Sequence, residues 1–393
     1  MKILIVSFYY PPDFGAGAFR AAALVRALDE QLPANAEIEV LTTVPHRYPG
    51  HVPDAPPIET QGRLKILRFA LPSVKSGRCG LMLSYARFAR SCNRHARGNP
   101  PDLVVATASR LFPAVIGARI AKRANRPLYL DIRDLFAANF CELHPGVHWA
   151  AVRGVLARLE ARTLGQAARI SVVSPAFVER LAPMGVRDRC RVFPNGIDDE
   201  FSPANPGVRA SESHSAANSL RVTYAGNIGQ GQALEAIIPQ LAQRLGERVQ
   251  FRIYGEGRRR DALEREICAL GLKNVEIHAP VPRSTLPTIY QQADVLFLHL
   301  SPAPALQATI PSKLFEYAAS GRPIWAGVSG ISAGLLHSEV ANSAVFPPGD
   351  VDAATKVLGR LAHESTPRSA FIKRYNRRTI MNAMAEDIVS LLM

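Results

Sequence analysis

Short apolar runs alternate with helix-like segments along most of this chain. In its first half, the runs that predict strands are Lys2–Tyr10, Glu37–Val44, Leu64–Phe69, Asp102–Ala108, Pro127–Ile132, Ile170–Ser174 and Arg191–Phe193. In its second half they are Leu220–Tyr224, Val249–Tyr254, Val275–Ala279, Val295–Leu300, Pro323–Ala326 and Ala344–Phe346. Because strands that alternate with helices build parallel sheets covered on both faces, the pattern predicts an α/β protein.

Segments with a helical spacing of apolar residues separate most of these strands. The clearest are Ala18–Glu30, Leu111–Ala124, Ala233–Leu245 and Arg259–Leu270. The alternation stops once, at Ser202–Ser219, where Ser, Ala, Asn, Pro and Gly predominate and predict a linker. We therefore expect two domains, residues 1–200 and residues 201–370, followed by a helix over 371–393.

The composition suits two large cores, since 47% of the 393 residues are hydrophobic, and it excludes wholesale disorder. The formal net charge is +14, and +10 of it falls in residues 1–200. A charge of this size indicates an anionic partner, which leaves nucleic acid, an anionic membrane surface and a phosphorylated substrate open.

Cysteine usage and hydropathy narrow the class of protein. The five cysteines are widely spaced without a C-x-x-C pair, which argues against a disulfide framework or a zinc site and fits a reducing cytoplasm. The apolar N-terminus lacks a small-residue cleavage site, so it predicts a buried strand and not a signal peptide. Prolines interrupt the longest uncharged stretch, Val295–Ser312, and no spanning helix is expected.

A glycine-rich turn, Gly15-Ala16-Gly17, follows the first predicted strand and opens a helix. Backbone N–H groups in such a turn can approach an anion at the positive end of the helix. A dinucleotide-binding turn would need a glycine where Arg20 stands and an acid at the end of the second strand, which argues against NAD. A tight turn without a ligand is the alternative interpretation.

Three polar turns lie in the second half, at the carboxyl ends of predicted strands or at the helix starts that follow. They are Gly226-Asn227-Ile228-Gly229, Gly255-Glu256-Gly257 and Ser312-Lys313-Leu314-Phe315-Glu316. Open α/β sheets bind ligands at this edge. Glycine turns with one lysine and one acid suit a phosphorylated ligand that carries a ribose. Taken singly, Ser312 also fits a helix N-cap, and Lys313 fits an ordinary i,i+3 pair with Glu316.

The segment 75–97 carries six Lys and Arg residues and no acid. Its apolar residues Leu81, Tyr85 and Phe88 fall on one helical face. The pattern predicts a basic amphipathic helix on an anionic membrane surface, with contacts from Arg78, Arg87, Phe88, Arg90 and Arg94. An ordinary arginine-rich surface helix is the alternative, and no zinc-finger spacing or RNA-binding aromatic motif favours nucleic acid.

Together these motifs resemble the GT-B retaining glycosyltransferases of family four over nearly the whole chain. The resemblance also rests on Tyr9-Tyr10-Pro11-Pro12, Asp131-Ile132-Arg133-Asp134, Pro194-Asn195-Gly196-Ile197-Asp198 and Ala293-Asp294-Val295. The Asp-x-Arg-Asp and Pro-Ser-Lys-x-x-Glu-Tyr motifs are similar to those of the WbuB/WcaI-like subgroup, which contains bacterial surface-polysaccharide enzymes.

The resemblance implies two Rossmann-like domains with parallel sheets that face each other across a cleft. The first domain would bind the acceptor and receive the C-terminal helix 371–393, and the second would bind a nucleotide-sugar donor. The implied donor-binding residues are Gly15, Ala16, Gly17, Gly226, Asn227, Gly229, Gly255, Glu256, Gly257, Ser312, Lys313, Leu314 and Glu316, with Glu316 at the ribose. Asp131, Arg133 and Asp134 are the implied catalytic residues. The alternative interpretation is a buried Asp–Arg pair that holds the end of a strand.

Two departures from the family pattern bear on the mechanism. Ala308 stands where the family often has a glutamate, eight residues before the ribose-binding one. Asn227 and Gln232 stand where it tends to carry an Arg/Lys pair. We therefore expect Lys313 to supply the missing charge at the diphosphate, with Arg252 or Arg258 as additional candidates.

The implied function is retaining transfer from a nucleotide sugar, specifically a UDP-N-acetylamino sugar, to a polyprenyl-linked or saccharide acceptor. The process would be bacterial polysaccharide, O-antigen or exopolysaccharide biosynthesis. No metal or cofactor is expected, and the protein would be cytoplasmic and peripheral to the inner membrane. Two other functions stay open, a GT-B-shaped sugar-nucleotide epimerase and a basic nucleic-acid-binding protein.

Overall fold

A computed structural model describes the chain except residues 14, 47–53, 72–77, 109, 138–139, 141–145, 147–148, 202–218 and 393, and the side chains of Arg78, Cys79 and Leu81. Its internal contacts divide the chain into two compact units. The first contains Met1–Pro194 and Arg378–Met393, and the second contains Asn195–Arg377. The chain thus leaves the first unit at Pro194, before the expected boundary at residue 200. The predicted linker lies, but for Ser219, outside the described residues.

The first unit is built on an eight-stranded sheet. Its strands are β1 Lys2–Ser7, β2 Glu37–Thr43, β3 Ile58–Gln61, β4 Leu64–Phe69, β5 Leu103–Ala108, β6 Leu128–Ile132, β7 Arg169–Val172 and β8 Cys190–Val192. They are ordered β3-β4-β2-β1-β5-β6-β7-β8, and every pair is parallel except β3 with β4. The central strands β1 and β5 are buried along their whole length, as expected for parallel strands with both faces covered.

In the described part of this unit, five helices connect the strands. They are α1 Ala16–Gln31, α2 Arg78–Gly98, α3 Leu111–Ala124, α4 Ala150–Gly165 and α5 Pro175–Leu181. The segments predicted as Ala18–Glu30 and Leu111–Ala124 are therefore confirmed as helices. Every strand predicted from apolar runs in this half is also present.

The second unit has a six-stranded, wholly parallel sheet. Its strands are β9 Leu220–Ala225, β10 Val249–Tyr254, β11 Val275–His278, β12 Val295–His299, β13 Ile324–Gly327 and β14 Ser343–Phe346. They are ordered β11-β10-β9-β12-β13-β14. Rings of Phe251, Phe297, Trp325 and Phe346 pack together on one face and fill its core.

The described residues of this unit form seven helices. They are α6 Leu234–Leu245, α7 Arg260–Ala269, α8 Leu286–Gln292, α9 Ser312–Ala319, α10 Gly330–Glu339, α11 Val351–Leu358 and α12 Ser369–Arg374. The predicted segments Ala233–Leu245 and Arg259–Leu270 correspond to α6 and α7. Both units thus have the α/β, parallel-sheet architecture that the alternation predicts.

The C-terminal segment 371–393 is not the single helix that its spacing predicts. It contains the end of α12 and then α13, Arg377–Val389. Between them Asn376 forms a parallel bridge with Ile197, and this pairing interrupts the helical path. From Arg378 onward the segment belongs to the first unit, where the Gln31 side chain of α1 donates to the Asn382 carbonyl at 2.8 Å.

Candidate active site

The strand order of the second sheet reverses between β9 and β12, so their carboxyl ends flank the crevice in which such sheets bind ligands. The Gly226–Gly229 turn follows β9, and α9 follows β12 after a short 3-10 segment. The Gly255–Gly257 turn follows β10, the neighbour of β9. The fold therefore brings the three predicted polar turns to one edge of one sheet.

Lys313 lies in the first turn of α9 with its ammonium against the Gly226 turn. Its Nζ is 3.7 Å from the centroid of the Tyr224 ring, in a cation–π contact. A Cβ on Gly226 would approach Nζ to 2.3 Å, and Gly226 also has a φ of 144°, so only glycine fits there.

The positive charge of the same ammonium is buried with little to stabilise it. The side chain of Lys313 is partly exposed, but its Nζ is buried and has no hydrogen-bond partner among the described residues. Burial lowers the pKa of Lys313 to about 7, although the carboxylate of Glu316 acts in the opposite direction. A lysine in this state is ready to accept an anion as its partner.

The start of α9 offers further donors. Its N-cap position is Pro311, whose side chain cannot cap, so the alternative that Ser312 is an N-cap is wrong. The Leu314 amide donates to the Pro311 carbonyl at 3.0 Å, while the amides before it have no acceptor within the helix. The helix dipole favours an anion at this end.

Glu316 lies one turn further along α9, and its carboxylate is fixed by two residues that the sequence analysis did not single out. One oxygen accepts from Arg283 Nη1 at 3.2 Å, and the other accepts from the Tyr290 hydroxyl at 3.1 Å. Glu316 is 7% exposed, so these bonds compensate a largely buried carboxylate. Nothing local to Pro-Val-Pro-Arg283 distinguishes this arginine from the many exposed ones.

The two glycine turns contact each other through their backbones. A Cβ on Gly255 would lie 1.9 Å from the Gly226 carbonyl oxygen, and one on Gly257 would lie 2.2 Å from that of Ile228. The Ile228 amide donates to the Glu256 carbonyl at 2.9 Å. Gly255 and Gly257 therefore serve this close packing, while the Glu256 side chain is exposed.

The positions of the family's Arg/Lys pair carry neutral side chains that bind each other. Asn227 Nδ2 donates to Gln232 Oε1 at 2.8 Å. Of the other candidate cations, Arg252 points from within β10 toward Glu276, at 3.8 Å, and Arg258 is exposed. Lys313 is thus the candidate cation that the fold brings into the Gly226 turn.

In the first unit, the glycine turn after β1 contacts Arg133. Gly17, in the first turn of α1, lies so close to the guanidinium that a Cβ would be 2.2 Å from Nη2. Arg133 follows β6, and the order β1-β5-β6 brings it to the same edge as the turn. A cation beside first-turn helix amides is again an arrangement suited to an anion.

The environment of Asp131 contradicts the prediction that this residue contacts the sugar as a catalytic residue. It is 1% exposed, and its Oδ1 accepts from Arg20 Nη2 at 3.0 Å and from the Ser171 hydroxyl at 2.7 Å. Arg20 is wholly buried and also donates to the carbonyl oxygens of Phe193 and Pro194, at 2.9 and 2.8 Å. Its position on the apolar face of α1 was the sequence signal for this ion pair.

Asp134 has a different environment from Asp131. It is half-buried and lines a small cavity together with Arg110 and Glu160. Burial raises the pKa of Glu160, against backbone hydrogen bonds from Ala137 and Phe136. Asp134 is therefore less buried than Asp131.

Helix α2 corrects part of the predicted membrane surface. Phe88 is completely buried, with its ring 5.4 Å from that of Phe8, so it belongs to the core. Arg87, Arg90 and Arg94 are exposed, as predicted, and the side chain of Arg78 lies outside the described residues. Among the described side chains of this helix, the large apolar residues that are exposed are Met82 and Leu83, at 57% and 52%. In the described part of the chain, no helix has both the length and the apolar character needed to cross a bilayer.

Residues 15–196 match the family model described as a glycosyl transferase 4-like domain, and residues 220–364 match that of the glycosyl transferases group 1. Over 230 residues the chain is 25% identical to WcaI of Escherichia coli strain K12, whose name assigns it to glycosyl transfer in colanic acid biosynthesis. That match covers 56% of this chain and 56% of WcaI, so the chain spans little more than half the length of this relative.

Two solved structures show the same fold. Sucrose-phosphate synthase from Thermosynechococcus elongatus has a TM-score of 0.74 and 18% identity, over 99% of this chain and 98% of the other. Anabaena HepE, solved with UDP and glucose, has a TM-score of 0.68 and 19% identity, over 99% and 100%. Identities this low establish fold alone. The two adjoining family models decide the family: the chain belongs to the group 1, or family 4, glycosyltransferases of GT-B fold.

Proposed function

We propose that this protein transfers a sugar, with retention of configuration, from a UDP-N-acetylamino sugar to a polyprenyl-linked or saccharide acceptor. The process would be assembly of a bacterial surface polysaccharide such as O-antigen or exopolysaccharide. The observation that carries the proposal lies on α9, beside the Gly226 turn. There the buried Lys313 ammonium has no hydrogen-bond partner among the described residues, and the Glu316 carboxylate one turn further is held by Arg283 and Tyr290. One turn of helix separates a group for phosphate from a group for ribose.

The donor would bind along this edge of the second sheet. Glu316 accepts hydrogen bonds from the ribose hydroxyls, and Lys313 with the first amides of α9 holds the diphosphate. Gly226, Asn227 and Gly229 leave room for the backbone to approach the phosphates. Gly255, Glu256 and Gly257 support that turn from the next strand, through the packing described above.

The first unit would contribute a second group of donor contacts. Gly15, Ala16 and Gly17 present the amino end of α1, and Arg133 brings a guanidinium against Gly17. Arg133 and Asp134 are the residues we assign to the reacting sugar and its leaving group. Asp131 acts only through the strand end that its ion pair with Arg20 holds.

The chemistry follows from what these residues can stabilise. The bond between the anomeric carbon and the diphosphate oxygen breaks, and the acceptor oxygen bonds to that carbon on the same face. The acceptor hydroxyl proton passes to an oxygen of the departing diphosphate. The protein orients the two substrates and stabilises charge on the diphosphate, and this route does not require a carboxylate where Ala308 stands.

The acceptor would arrive from the anionic surface of the inner membrane. The protein would associate peripherally with that surface. Support comes from the charge of +10 in residues 1–200 and from the exposed row Arg87, Arg90 and Arg94 on α2. Exposed Met82 and Leu83 on the same helix add apolar contact. This surface suits a polyprenyl-linked acceptor better than a free one.

The donor is tested first, by screening UDP-, GDP- and dTDP-sugars for a rise in melting temperature. We expect UDP-N-acetylamino sugars to stabilise the protein, and Lys313→Ala to weaken donor binding about tenfold or more, because a hydrogen bond to a charged group contributes about 1.5–3 kcal/mol. Lys356→Ala, an exposed lysine on α11, is the matched control. Near-wild-type affinity and turnover in Lys313→Ala would contradict its role.

Retention and transfer are tested on the product. Proton NMR of a product from an α-linked donor should show an α-glycoside. Without acceptor, the donor should not change its sugar configuration, whereas an epimerase would convert it. Conversion of the donor sugar in the absence of acceptor would overturn the proposed transferase function.

A further inference from the structure

Arg283 lies just before α8 and joins three carboxylates of the second unit. Its Nη1 donates to Glu316 at 3.2 Å and its Nε donates to Glu200 at 2.9 Å, while its Nη2 forms an ion pair with Asp198. The guanidinium also lies 4.8 Å from the centroid of the Phe201 ring. Burial opposes the charge of Arg283, but the three carboxylates outweigh it and raise the pKa of this arginine.

At Glu316, Arg283 and Tyr290 bind different oxygens. Arg283 binds Oε1, and the Tyr290 hydroxyl binds Oε2 at 3.1 Å. An ionised carboxylate has about four acceptor positions, so each oxygen keeps capacity for one more donor. A ribose has two adjacent hydroxyls, which is the number of donors that the remaining positions can take.

The orientation of Arg283 is itself determined by residues that precede β9. Glu200 pairs with Nε of the guanidinium and Asp198 with Nη2, and Asp198 also forms an ion pair with Arg377. Phe201 stacks on the Tyr290 ring, with centroids 5.9 Å apart. The Arg283 guanidinium and the Tyr290 ring, which both bind Glu316, are therefore held by residues outside α9.

We infer that Arg283 is a positioning residue for the donor, which orients the Glu316 carboxylate so that both its oxygens accept from the ribose hydroxyls. The inference rests on the proposed function, since it needs a ribose at Glu316. Arg283 would not touch the donor itself and would act on it through Glu316. A planar guanidinium suits this role because it donates in three fixed directions, which a lysine ammonium cannot reproduce.

A purely structural Arg283 and a positioning Arg283 differ in one measurable respect. A structural role would affect stability and every ligand alike. A positioning role affects the ligand's 2′ and 3′ hydroxyls specifically. The ratio of the affinities for UDP and for 2′,3′-dideoxy-UDP isolates this contribution.

The test measures both affinities by titration calorimetry in the wild type, Arg283→Lys and Glu316→Gln. We expect the wild type to prefer UDP by about tenfold or more, which corresponds to about 1.4 kcal/mol. In Arg283→Lys the preference should fall most of the way to the value of Glu316→Gln, with little change in dideoxy-UDP binding. The control is Arg221→Lys, which alters an ion pair with Asp294 at the opposite end of β9 and should keep the wild-type ratio.

Three outcomes decide the matter. An unchanged ratio in folded Arg283→Lys overturns the inference and leaves the proposed function intact. A wild type that binds neither nucleotide overturns the proposed function and the inference with it. If Arg283→Lys does not fold, Glu200→Gln removes one support of Arg283 without touching Glu316, and an unchanged ratio in that variant also overturns the inference.

Discussion

Arg20 and Asp131, 111 residues apart in the chain, form a buried ion pair with an N–O distance of 3.0 Å. Arg20 is on α1, immediately after the glycine turn, and Asp131 is in β6, two residues before Arg133. Burial would raise the pKa of Asp131, but the charge and hydrogen bonds of Arg20 lower it below its ordinary value. The pair thus ties the glycine turn to the strand end whose arginine contacts it.

Removing one partner of this pair should destabilise the first unit. We expect Arg20→Met or Asp131→Asn to lower the free energy of unfolding by about 3–5 kcal/mol, because the remaining charge or polar group stays buried. Urea unfolding measures this effect. The exposed pair Arg187–Glu179 is the control, where Glu179→Gln should cost less than about 1 kcal/mol.

The same pair has a consequence for acid stability. Because the pKa of Asp131 is lower in the folded than in the unfolded chain, its stabilisation is complete above the unfolded pKa, near 4. It is lost as the pH falls through the folded value. Asp131→Asn should therefore flatten the stability profile below about pH 4. If the unfolding free energy of Asp131→Asn falls below pH 4 as steeply as that of the wild type, this explanation is wrong.

Donor binding should take up protons at Lys313. With a pKa of about 7, the lysine is partly neutral at pH 7–8 in the free protein, and a diphosphate beside it raises that pKa. Glu316 is the charged neighbour that already favours protonation. We expect UDP affinity to fall as the pH rises above about 7, and calorimetry in buffers of different ionisation enthalpy to show proton uptake.

Lys313→Arg provides the matched comparison, since arginine stays protonated throughout this range. Its UDP binding should lose the buffer-dependent proton uptake even if affinity changes. Equal proton uptake in the wild type and Lys313→Arg would exclude Lys313 as the titrating group.

The neutral pair Asn227–Gln232 offers a rescue. Gln232→Lys places a cation in the turn after β9, where Gln232 otherwise accepts from Asn227 at 2.8 Å. In a Lys313→Ala background, we expect it to recover donor affinity several-fold, about 1 kcal/mol or more. Donor affinity equal to that of Lys313→Ala alone would show that charge at this turn does not reach the diphosphate.

The exposed arginines of α2 should govern membrane binding. Changing Arg87, Arg90 and Arg94 to Gln should weaken co-sedimentation with phosphatidylglycerol vesicles, by about 1 kcal/mol for each arginine near the surface. Neutral phosphatidylcholine vesicles are the control lipid. Unchanged binding to the anionic vesicles would rule out α2 as the membrane surface.

Phe88 should behave differently from these arginines. Because its ring is in the core, Phe88→Ala should reduce the free energy of unfolding by about 3–5 kcal/mol. Leu83→Ser, at an exposed position, should weaken vesicle binding with little effect on the unfolding free energy. Chemical denaturation and co-sedimentation distinguish the two. The reverse result would reassign the lipid-facing side of the helix.

The local pattern of apolar residues predicted the parallel strands, because each of them is a nearly continuous apolar run. Strand β3 was missed since it reads Ile-Glu-Thr-Gln, with its only apolar residue, Ile58, 58% exposed. It forms an antiparallel edge of the sheet, where neither face needs an apolar run. The division of 371–393 into two helices was missed because Asn376 pairs with Ile197, far away in sequence.

The α/β order, the glycine turns and the spacing of Lys313 and Glu316 follow from the amino-acid sequence alone, because they depend on periodicity and on which backbone angles a residue allows. Which charged residues become partners depends on the three-dimensional fold. Arg20 takes Asp131 out of reach of a ligand, Arg283 fixes Glu316, and Lys313 is left without a hydrogen-bond partner among the described residues. The physical reason is that such pairings depend on strand order and burial, which bring distant residues together and remove water from some charges but not from others.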